Sequence, residues 1–537
     1  MKALRKCIAA LTACLLVISC IPAVSADVVP FDYGDYSCEY ENCEVTISRY
    51  KGSEENLVIP DTINGYPVRT LKQGAFRNNS VLKTVEIPDS VYTIGSYCFY
   101  ADHNLKQLKI GNKVRTIEST AFNSCDELEE LYIPESVTEI GGFAFQGCEK
   151  LKRINIPKNI TKIGDGTFGG CEALEGITLP EGLVEIGNSA FGDCKLIKEL
   201  NLPAALKTIG KNAFMNCSEL NTVVFNDGLA SIGNEAFYAT ALNKIVLPNS
   251  IENMGNGCFA WCKELTDVTL PDNLKIIPYG TFSGCTSLKS LDIPASVEEL
   301  GGSVFSSCTS LEEFTIPDTV KTIGDYLFYR CSSLKNVKFP EGITKIPKAC
   351  FSECASIDKL ILPDTVTEIG DGAFHKTAVT SVELPERITV VGNNAFAGCE
   401  RLTSFNFSPN VGEVCQGMFS ECENLTSVTL PENAVKIGNK VFYDCNSLKS
   451  ISITGSVKSI GDNCFESCNA LESVYIPASV KTLGKECFSN CYALTNVELN
   501  EGIEKFDSKA FYYCSHLESI YLPDTLKEIG QNCFEDC

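Results

Sequence analysis

The chain has 537 residues, a formal net charge of −23 at pH 7 and 29 cysteines. So acidic a chain repels phosphate backbones and anionic lipid, which argues against binding to nucleic acid or to membrane surfaces. After residue 26 no apolar run reaches the roughly 18 residues that a membrane-spanning helix requires, so no transmembrane segment is predicted.

Residues 1–26 are predicted to be a secretory signal peptide. They begin with the basic stretch MKALRKC, continue with the apolar stretch IAALTACLLVI and end in AVSA, a small-residue cleavage site before Asp27. The mature protein is therefore expected to be secreted or held at the cell surface. A second interpretation stays open, because VISC, which ends at Cys20, resembles a bacterial lipobox whose cysteine would be lipidated.

Residues 27–56 lack the periodicity of the rest of the chain and are predicted to form an N-terminal cap. The stretch YSCEYENCEVTISRYKG is typical of an irregular hairpin that covers the first unit of a repeat array. At the other end, the last repeat runs to Cys537 without a comparable cap. Two expectations follow from this: either the last coil is open, or the chain is a fragment of a longer protein.

Residues 57–537 consist of one unit repeated 21 times. Successive anchor phenylalanines are 23 residues apart, except for two steps of 22 residues, from Phe237 to Phe259 and from Phe374 to Phe396. A fixed period of this length predicts a solenoid, in which each coil contacts only its neighbours and one core runs along the whole domain. The anchors are Phe76, Phe99, Phe122, Phe145, Phe168, Phe191, Phe214, Phe237, Phe259, Phe282, Phe305, Phe328, Phe351, Phe374, Phe396, Phe419, Phe442, Phe465, Phe488, Phe511 and Phe534.

The unit has the pattern L-x-x-[VIL]-x-[IL]-P-x-x-[VIL]-x-x-I-G-x-x-A-F-x-x-C-x-x, with leucine as position 1. Apolar residues at positions 4 and 6, such as Leu131 and Ile133, alternate with polar ones and predict a strand with one buried face. Proline at position 7 ends that strand, and glycine at position 14, such as Gly141, is expected to adopt a positive φ. A second apolar pair at positions 10 and 13, such as Val137 and Ile140, predicts a second short extended segment after the turn. The coil is expected to close with a tight return, for which a helical turn is one option. The strands are predicted to form one continuous parallel β-sheet.

The joint motif IP..V..IG..AF..C resembles that of the BspA-type leucine-rich repeats of secreted and surface proteins in bacteria and some protists. The resemblance covers about residues 57–537. It departs from the general leucine-rich formula, because proline follows the strand and no regular asparagine ladder is present. The resemblance implies a β-rich solenoid, in the form of a rod or arc, that is used for adhesion or ligand binding and carries no catalytic motif.

Cysteine occupies position 21 in 17 of the units and position 17 in six. Position 17 otherwise holds mainly small residues, which favours buried free thiols, although scattered disulfides or a metal at a CFxxC pair stay open. The three histidines, His103, His375 and His516, lie in separate and distant coils, so a histidine-based catalytic triad or metal cluster is not expected. We predict no enzymatic activity and no cofactor.

The outward face of the predicted sheet carries a candidate ligand strip. Position 3 is serine in five consecutive coils, and two tyrosines follow at position 5 of later coils. Hydroxyl groups in such a row can hydrogen-bond glycans, and tyrosine rings offer a stacking surface. The alternative is that these residues bind no ligand and occur there because a solvent-exposed strand tolerates small polar side chains. The strip comprises Ser381, Ser404, Ser427, Ser450, Ser473, Tyr475 and Tyr521.

A second candidate is an acidic stripe at position 8 of four consecutive coils, which comprises Asp318, Glu341, Asp364 and Glu386. Like charges on neighbouring strands repel one another, and nearby lysines such as Lys321, Lys345 and Lys359 are expected to relieve this repulsion. The alternatives are weak Ca²⁺ binding and docking of a basic partner along this edge.

The sequence as a whole predicts a secreted or cell-surface protein that binds an extracellular protein or glycan through the solenoid surface. A structural role is the alternative hypothesis, in which the solenoid acts as a spacer or scaffold in a larger surface assembly.

Overall fold

Three antiparallel strands begin the part of the chain that the structure, a computed structural model, describes, namely residues 28–537. Strand β1 (Val29–Tyr33) pairs with β2 (Tyr36–Glu41), and β2 pairs with β3 (Glu44–Tyr50) with a shift in register. The predicted irregular hairpin is therefore present. The predicted signal peptide and the alternative lipidation at Cys20 lie outside the described residues.

The antiparallel strands join directly onto the repeats. Strand β3 pairs in parallel with β6 (Tyr66–Leu71), and β5 (Thr62–Ile63) pairs antiparallel with β6. The backbone of the first coil is thus hydrogen-bonded to the N-terminal segment instead of facing solvent, as an exposed sheet edge would.

Most later coils contribute two short parallel strands, one from each half of the coil, and these form two columns. The first column contains position 4 and comprises β4 (Asn56–Val58), β7 (Thr84–Glu86), β9 (Gln107–Lys109), β11 (Glu130–Leu131), β13 (Arg153–Ile154), β16 (Glu199–Asn201), β18 (Thr222–Val224), β20 (Lys244–Val246), β22 (Asp267–Thr269), β25 (Glu313–Thr315), β27 (Asn336–Lys338), β30 (Ser381–Glu383), β32 (Ser404–Asn406), β33 (Ser427–Thr429), β35 (Ser450–Ser452), β37 (Ser473–Ile476) and β39 (Asn496–Leu499).

The second column contains position 13 and starts at β6. It continues with β8 (Thr93–Ile94), β10 (Thr116–Ile117), β12 (Glu139–Ile140), β14 (Lys162–Ile163), β15 (Glu185–Ile186), β17 (Thr208–Ile209), β19 (Ser231–Ile232), β21 (Asn253–Met254), β23 (Ile276–Ile277), β24 (Glu299–Leu300), β26 (Thr322–Ile323), β28 (Lys345–Ile346), β29 (Glu368–Ile369), β31 (Val390–Val391), β34 (Lys436–Ile437), β36 (Ser459–Ile460), β38 (Thr482–Leu483), β40 (Lys505–Phe506) and β41 (Glu528–Ile529).

The predicted β-rich solenoid is confirmed, but the prediction of one continuous sheet is wrong. Both columns are divided into separate sheets, since strands of two to four residues make few hydrogen bonds to each neighbour. Two breaks in the first column fall at the two 22-residue steps, between β18 and β20 and before β30. In both cases the missing residue lies just before the position of the first-column strand.

The core follows the alternation expected from the sequence. Leu131 and Ile133 are buried while Glu130 and Tyr132 are exposed, and the same alternation recurs along the first column. The anchor phenylalanines form a stack through the interior, in which consecutive ring centroids lie close together and nearly parallel. Phe145, for example, lies 5.5 Å from Phe122 and 5.7 Å from Phe168, with interplanar angles of 5° and 4°. This stack is the central element of the core.

The return segment is not helical, and residues 28–537 contain no helix at all. Instead, amides at positions 16, 18 and 20 donate to carbonyls of the next coil, as Tyr97, Phe99 and Ala101 do. Positions 16 and 20 adopt a positive φ, for example 57° at both Tyr97 and Ala101. The returns therefore form a third inter-coil ladder, which we call the return ladder.

Glycine at position 14 has a different role from the one expected. Gly141 is not among the residues with positive φ. A Cβ atom at Gly141 would lie 2.3 Å from the amide nitrogen of Ser119 in the preceding coil, a distance that no real contact allows. Position 14 is glycine because neighbouring coils approach each other there through their backbones.

Candidate functional site

The structure places the five serines of the candidate ligand strip in one row on the outward face of the first column. Ser381 is in register with Ser404, Ser404 with Ser427, and Ser450 with Ser473. Tyr475 and Tyr521 lie on the same face, with 45% and 68% of their surfaces exposed. The strip is thus a row of exposed or partly exposed side chains, interrupted in strand pairing between Ser427 and Ser450, with aromatic rings towards one end.

The serine hydroxyls of this row are available to a ligand. The neighbouring threonines satisfy their own hydroxyls, because Thr403 Oγ1 donates to the carbonyl of Thr380 at 2.9 Å and Thr426 Oγ1 donates to that of Thr403 at 2.9 Å. Among the hydrogen bonds of the described residues, none involves the side-chain hydroxyl of a strip serine. The polar groups of the row are therefore solvated and uncharged.

The N-terminal half of the same face is chemically different. Here lysines and glutamates on adjacent coils form ion pairs, such as Lys83 with Glu55 at 2.8 Å and Lys152 with Glu129 at 3.5 Å. A concavity of about 670 Å³ opens on this charged part, lined by Asn56, Leu57, Val58, Thr84, Val85, Glu86, Lys106, Gln107, Leu108, Lys109, Glu129 and Glu130. The first column therefore presents a charged, concave surface at one end. At the other end it presents a hydroxyl-rich surface with few charges, which we call the neutral end.

The position-21 cysteines all adopt one arrangement that the sequence did not indicate. Each thiol donates to the carbonyl of the anchor phenylalanine one coil earlier, as Cys125 does to Phe99 and Cys148 does to Phe122, both at 3.3 Å. Burial raises the pKa of the Cys148 thiol to about 12, so the thiol stays protonated and able to donate. The cysteine is a small apolar residue that also satisfies a buried carbonyl.

In the two shorter units, threonine takes the place of this cysteine. Thr240 and Thr377 are buried at position 21, and each hydroxyl donates to the carbonyl of its own anchor phenylalanine. The shorter units therefore keep a buried residue at position 21. The missing residue comes after position 21, and each threonine hydroxyl shares its acceptor carbonyl with the thiol of the next coil, Cys262 or Cys399.

We predict that the buried thiols are reduced and unreactive in the folded protein. All 26 described cysteines are free, and most are buried, whereas Cys43 and Cys537 are exposed. In native protein, a thiol reagent should label the exposed Cys43 and Cys537 rapidly and the buried cysteines slowly. Denaturation should make every cysteine reactive. Peptide mapping of labelled protein measures this. Detection of native disulfides among the position-21 cysteines would contradict it.

A family model described as BspA type leucine rich repeat region matches the chain in six overlapping copies, over residues 69–197, 139–266, 185–312, 252–377, 298–426 and 412–537. Together these copies cover residues 69–537. The chain belongs to the BspA-type leucine-rich repeat family. The membership predicted from the repeated motif is thus confirmed.

Solved structures with a similar fold include two from bacteria. A leucine-rich cell surface protein of Faecalibacterium prausnitzii is 23% identical, with 75% of this chain and 95% of that chain covered and a TM-score of 0.39. A leucine-rich repeat protein of Bacteroides ovatus is 24% identical, with 96% and 92% covered and a TM-score of 0.32. No curated protein matches this chain.

In this BspA-type protein the acidic stripe is a row of four exposed carboxylates. Two lysines that were expected to relieve it are engaged elsewhere, since Lys321 pairs with Glu298 and Lys345 with Glu368 at 2.7 Å. Within residues 28–537, no three carboxylate, histidine or cysteine side chains are placed so that they could hold a metal ion.

The described part also has no helix long and apolar enough to cross a bilayer.

Neutralising the acidic stripe is expected to raise the melting temperature slightly, because exposed like charges on neighbouring coils repel only weakly in water. The variant carries Asp318→Asn, Glu341→Gln, Asp364→Asn and Glu386→Gln, which keeps side-chain size. Thermal unfolding with and without CaCl₂ measures the effect. If calcium stabilises the parent and not the variant, the stripe is a cation site and the repulsion account is wrong.

The three histidines lie apart, as the sequence predicted, but one of them belongs to a polar cluster. His103 pairs with Asp126 at 2.6 Å on the surface. His375 is half-buried on the return ladder, with Nδ1 3.3 Å from Oγ of the buried Ser352. It lines a cleft of about 360 Å³ that spans four coils. The sequence signal for this cleft is the small residues at positions 16 and 19 in successive coils.

Proposed function

We propose that this BspA-type protein is a secreted or surface-attached adhesion protein that recognises an extracellular protein or glycan. The supporting observation is the outward face of the first column, on which side chains of successive coils stand in exposed rows at fixed register. Such a surface offers many weak contacts at a regular spacing. A partner of extended shape can make several of these contacts at once, and each contact adds to the binding affinity.

Two parts of this face are candidates for the contact. The charged end, with its concavity of about 670 Å³, suits a protein whose charges complement the lysine and glutamate rows. The neutral end suits a glycan, whose hydroxyl groups can exchange hydrogen bonds with the serine row. The two candidates make different predictions about which substitutions weaken binding.

The test begins with the mature chain, from residue 27 onward, on an array of glycans and extracellular-matrix proteins. Hits are then measured with two variants, Ser427→Arg with Ser450→Arg at the neutral end, and Lys83→Glu with Lys109→Glu at the charged end. The matched control carries Ser332→Arg and Ser515→Arg, which place the same charges at exposed serines of the return segments. We expect one face variant to weaken binding and the control to bind like the parent. If both face variants bind like the parent, the proposal is wrong.

A spacer or scaffold role is the second candidate, and the continuous phenylalanine stack favours it. A stack that connects coil to coil, together with the return ladder, resists bending of the solenoid. This role predicts that no array component binds the mature chain specifically. It also predicts that binding to other surface components requires the ends of the solenoid and tolerates changes on its face.

A further inference from the structure

The return ladder has a cleft around His375 that none of the proposals above uses. The cleft has a volume of about 360 Å³, which lies within the range of small-ligand sites in proteins. Its floor is formed by the small residues Ala349, Gly372 and Ala397 at positions 16 and 19. Because these side chains are short, a groove opens along the solenoid axis.

Aromatic residues occupy the equivalent positions in the coils on either side. On one side, Tyr326 and Tyr329 contact each other edge to face with ring centroids 5.9 Å apart. On the other side, Tyr443 lies at position 19 with the ammonium group of Lys440 5.3 Å from its ring centroid. The groove is therefore open over about four coils and closed at both ends by larger side chains.

The walls carry hydrogen-bonding groups of every kind. Ser352 is only 5% exposed and has its Oγ 3.3 Å from Nδ1 of His375. Exposed amides of Asn393 and Asn394 lie across the floor, and the carboxylate of Glu421 lies at one end. Hydroxyl groups need partners that donate and partners that accept, and this wall supplies both.

The electrostatics favour a neutral ligand. Burial lowers the pKa of His375, and Lys376 lowers it further, while Glu353 and Glu421 act in the opposite direction. The net lowering favours a neutral imidazole at neutral pH, with one nitrogen donating and the other accepting. Lys348 offsets the carboxylate of Asp371, and Glu421 at one end leaves the lining with a net charge of −1. The cleft therefore disfavours anions, and its lining, which lies wholly within residues 28–537, has no group of three carboxylate, histidine or cysteine side chains that would hold a metal cation.

The same backbone geometry argues against catalysis by the Ser352 and His375 pair. All amides from 349 to 353 already donate: those of Ala349, Phe351 and Glu353 donate to the next coil in the return ladder. Those of Cys350 and Ser352 donate to carbonyls of their own coil. No backbone N–H of this segment is left to stabilise an oxyanion, which acyl transfer requires. The segment around Ser352 therefore supplies no backbone oxyanion hole.

We propose that this cleft binds a neutral, hydroxyl-rich ligand, a short stretch of an oligosaccharide, through Ser352, His375, Asn393 and Asn394. The groove follows the solenoid axis, so a linear sugar chain can lie along it. The cleft is on the return ladder and not on the outward face of the first column. The proposal therefore holds or fails independently of the adhesion surface described above.

The experiment titrates the mature chain with a panel of neutral oligosaccharides of three to six sugar units, followed by calorimetry and by saturation-transfer NMR. One variant, Ala397→Tyr, fills the cleft with the residue that the fold already accommodates at Tyr329 and Tyr443. A second, His375→Ala, removes the central polar group. The control is His516→Ala, which removes an exposed histidine in a distant coil.

At least one oligosaccharide is expected to bind the parent and the His516→Ala control equally, and to bind each cleft variant at least about tenfold more weakly. Unfolding midpoints of the cleft variants should stay close to that of the parent, which separates loss of the site from loss of the fold. Absence of binding to the parent at millimolar concentration overturns the proposal. So does binding that survives both cleft variants, or that is lost in the Ser427→Arg, Ser450→Arg variant.

Discussion

Replacing Phe145 with alanine is expected to destabilise the solenoid by about 3–5 kcal/mol, the range for truncating a buried phenylalanine. The ring is fully buried and contacts the rings of Phe122 and Phe168 on its two faces. Alanine would leave a cavity that the stacked neighbours cannot fill, because their positions are set by their own coils. The loss of dispersion contacts on both sides adds to the lost transfer free energy.

The chain supplies a matched control two residues away. Phe143 is also phenylalanine, but it lies on the return ladder with 42% of its surface exposed. Phe143→Ala is expected to cost less than about 1 kcal/mol. Denaturant unfolding compares the two variants, and hydrogen exchange locates the damage. Exchange should accelerate in the coils next to position 145 and stay slow in distant coils, since each coil contacts only its neighbours. Equal effects of the two substitutions would show that the stack is not the main support of the core.

Removing the carboxyl group of Asp102 is expected to stabilise the protein at neutral pH by an amount on the order of a few kcal/mol. Asp102 occupies position 21, where most coils have cysteine, and it is completely buried. Its Oδ1 accepts a hydrogen bond from the amide of Asn79 at 2.7 Å, but its Oδ2 has no partner. Burial raises the pKa of this carboxyl to about 8, against an ordinary value of 3.8.

The sign of the pH dependence follows from that shift. Below about pH 4 the carboxyl is protonated in both the folded and the unfolded chain, so its ionisation does not change the free energy of unfolding. As the pH rises from about 4 to about 8, the Asp102 carboxyl ionises in the unfolded chain but stays protonated in the folded one. Ionisation lowers the free energy of the unfolded state alone, so the free energy of unfolding falls. Above that range the folded chain ionises as well and the contribution levels off.

Two variants test this account. Asp102→Asn keeps the acceptor for Asn79 and cannot ionise, and Asp102→Cys introduces the residue found at position 21 of the following coils. Both should raise the unfolding midpoint at pH 8 and reduce its fall between pH 5 and pH 8. The control Asp267→Asn changes an exposed aspartate on the first column and should alter neither. A parent whose stability rises over this pH range, with no difference in the Asn variant, would contradict the assignment of a neutral buried acid.

The sequence by itself determined the repeat, the number of coils and the residues of the core. These follow from local rules, because alternation at Leu131 and Ile133 and the recurrence of the anchor phenylalanine specify which side chains must avoid water whatever the neighbouring coil does. The outward positions of the candidate ligand strip follow from the same alternation. The family follows as well, since the repeated motif is specific.

Only the tertiary structure decided how one coil meets the next. Gly141 has no side chain because the backbone of Ser119 in the preceding coil leaves no space for one. The thiol of Cys125 donates to the carbonyl of Phe99, one coil earlier. The cleft at His375 depends on Ala397 in a different coil. Each of these partners lies 22 to 26 residues away in sequence. Short segments of sequence encode the conformation of one coil, whereas the contact between coils depends on the distance and register at which two coils stack. For that reason the second extended segment of each coil could be predicted from the repeat motif, whereas the breaks within the two columns, the return ladder and its cleft could not.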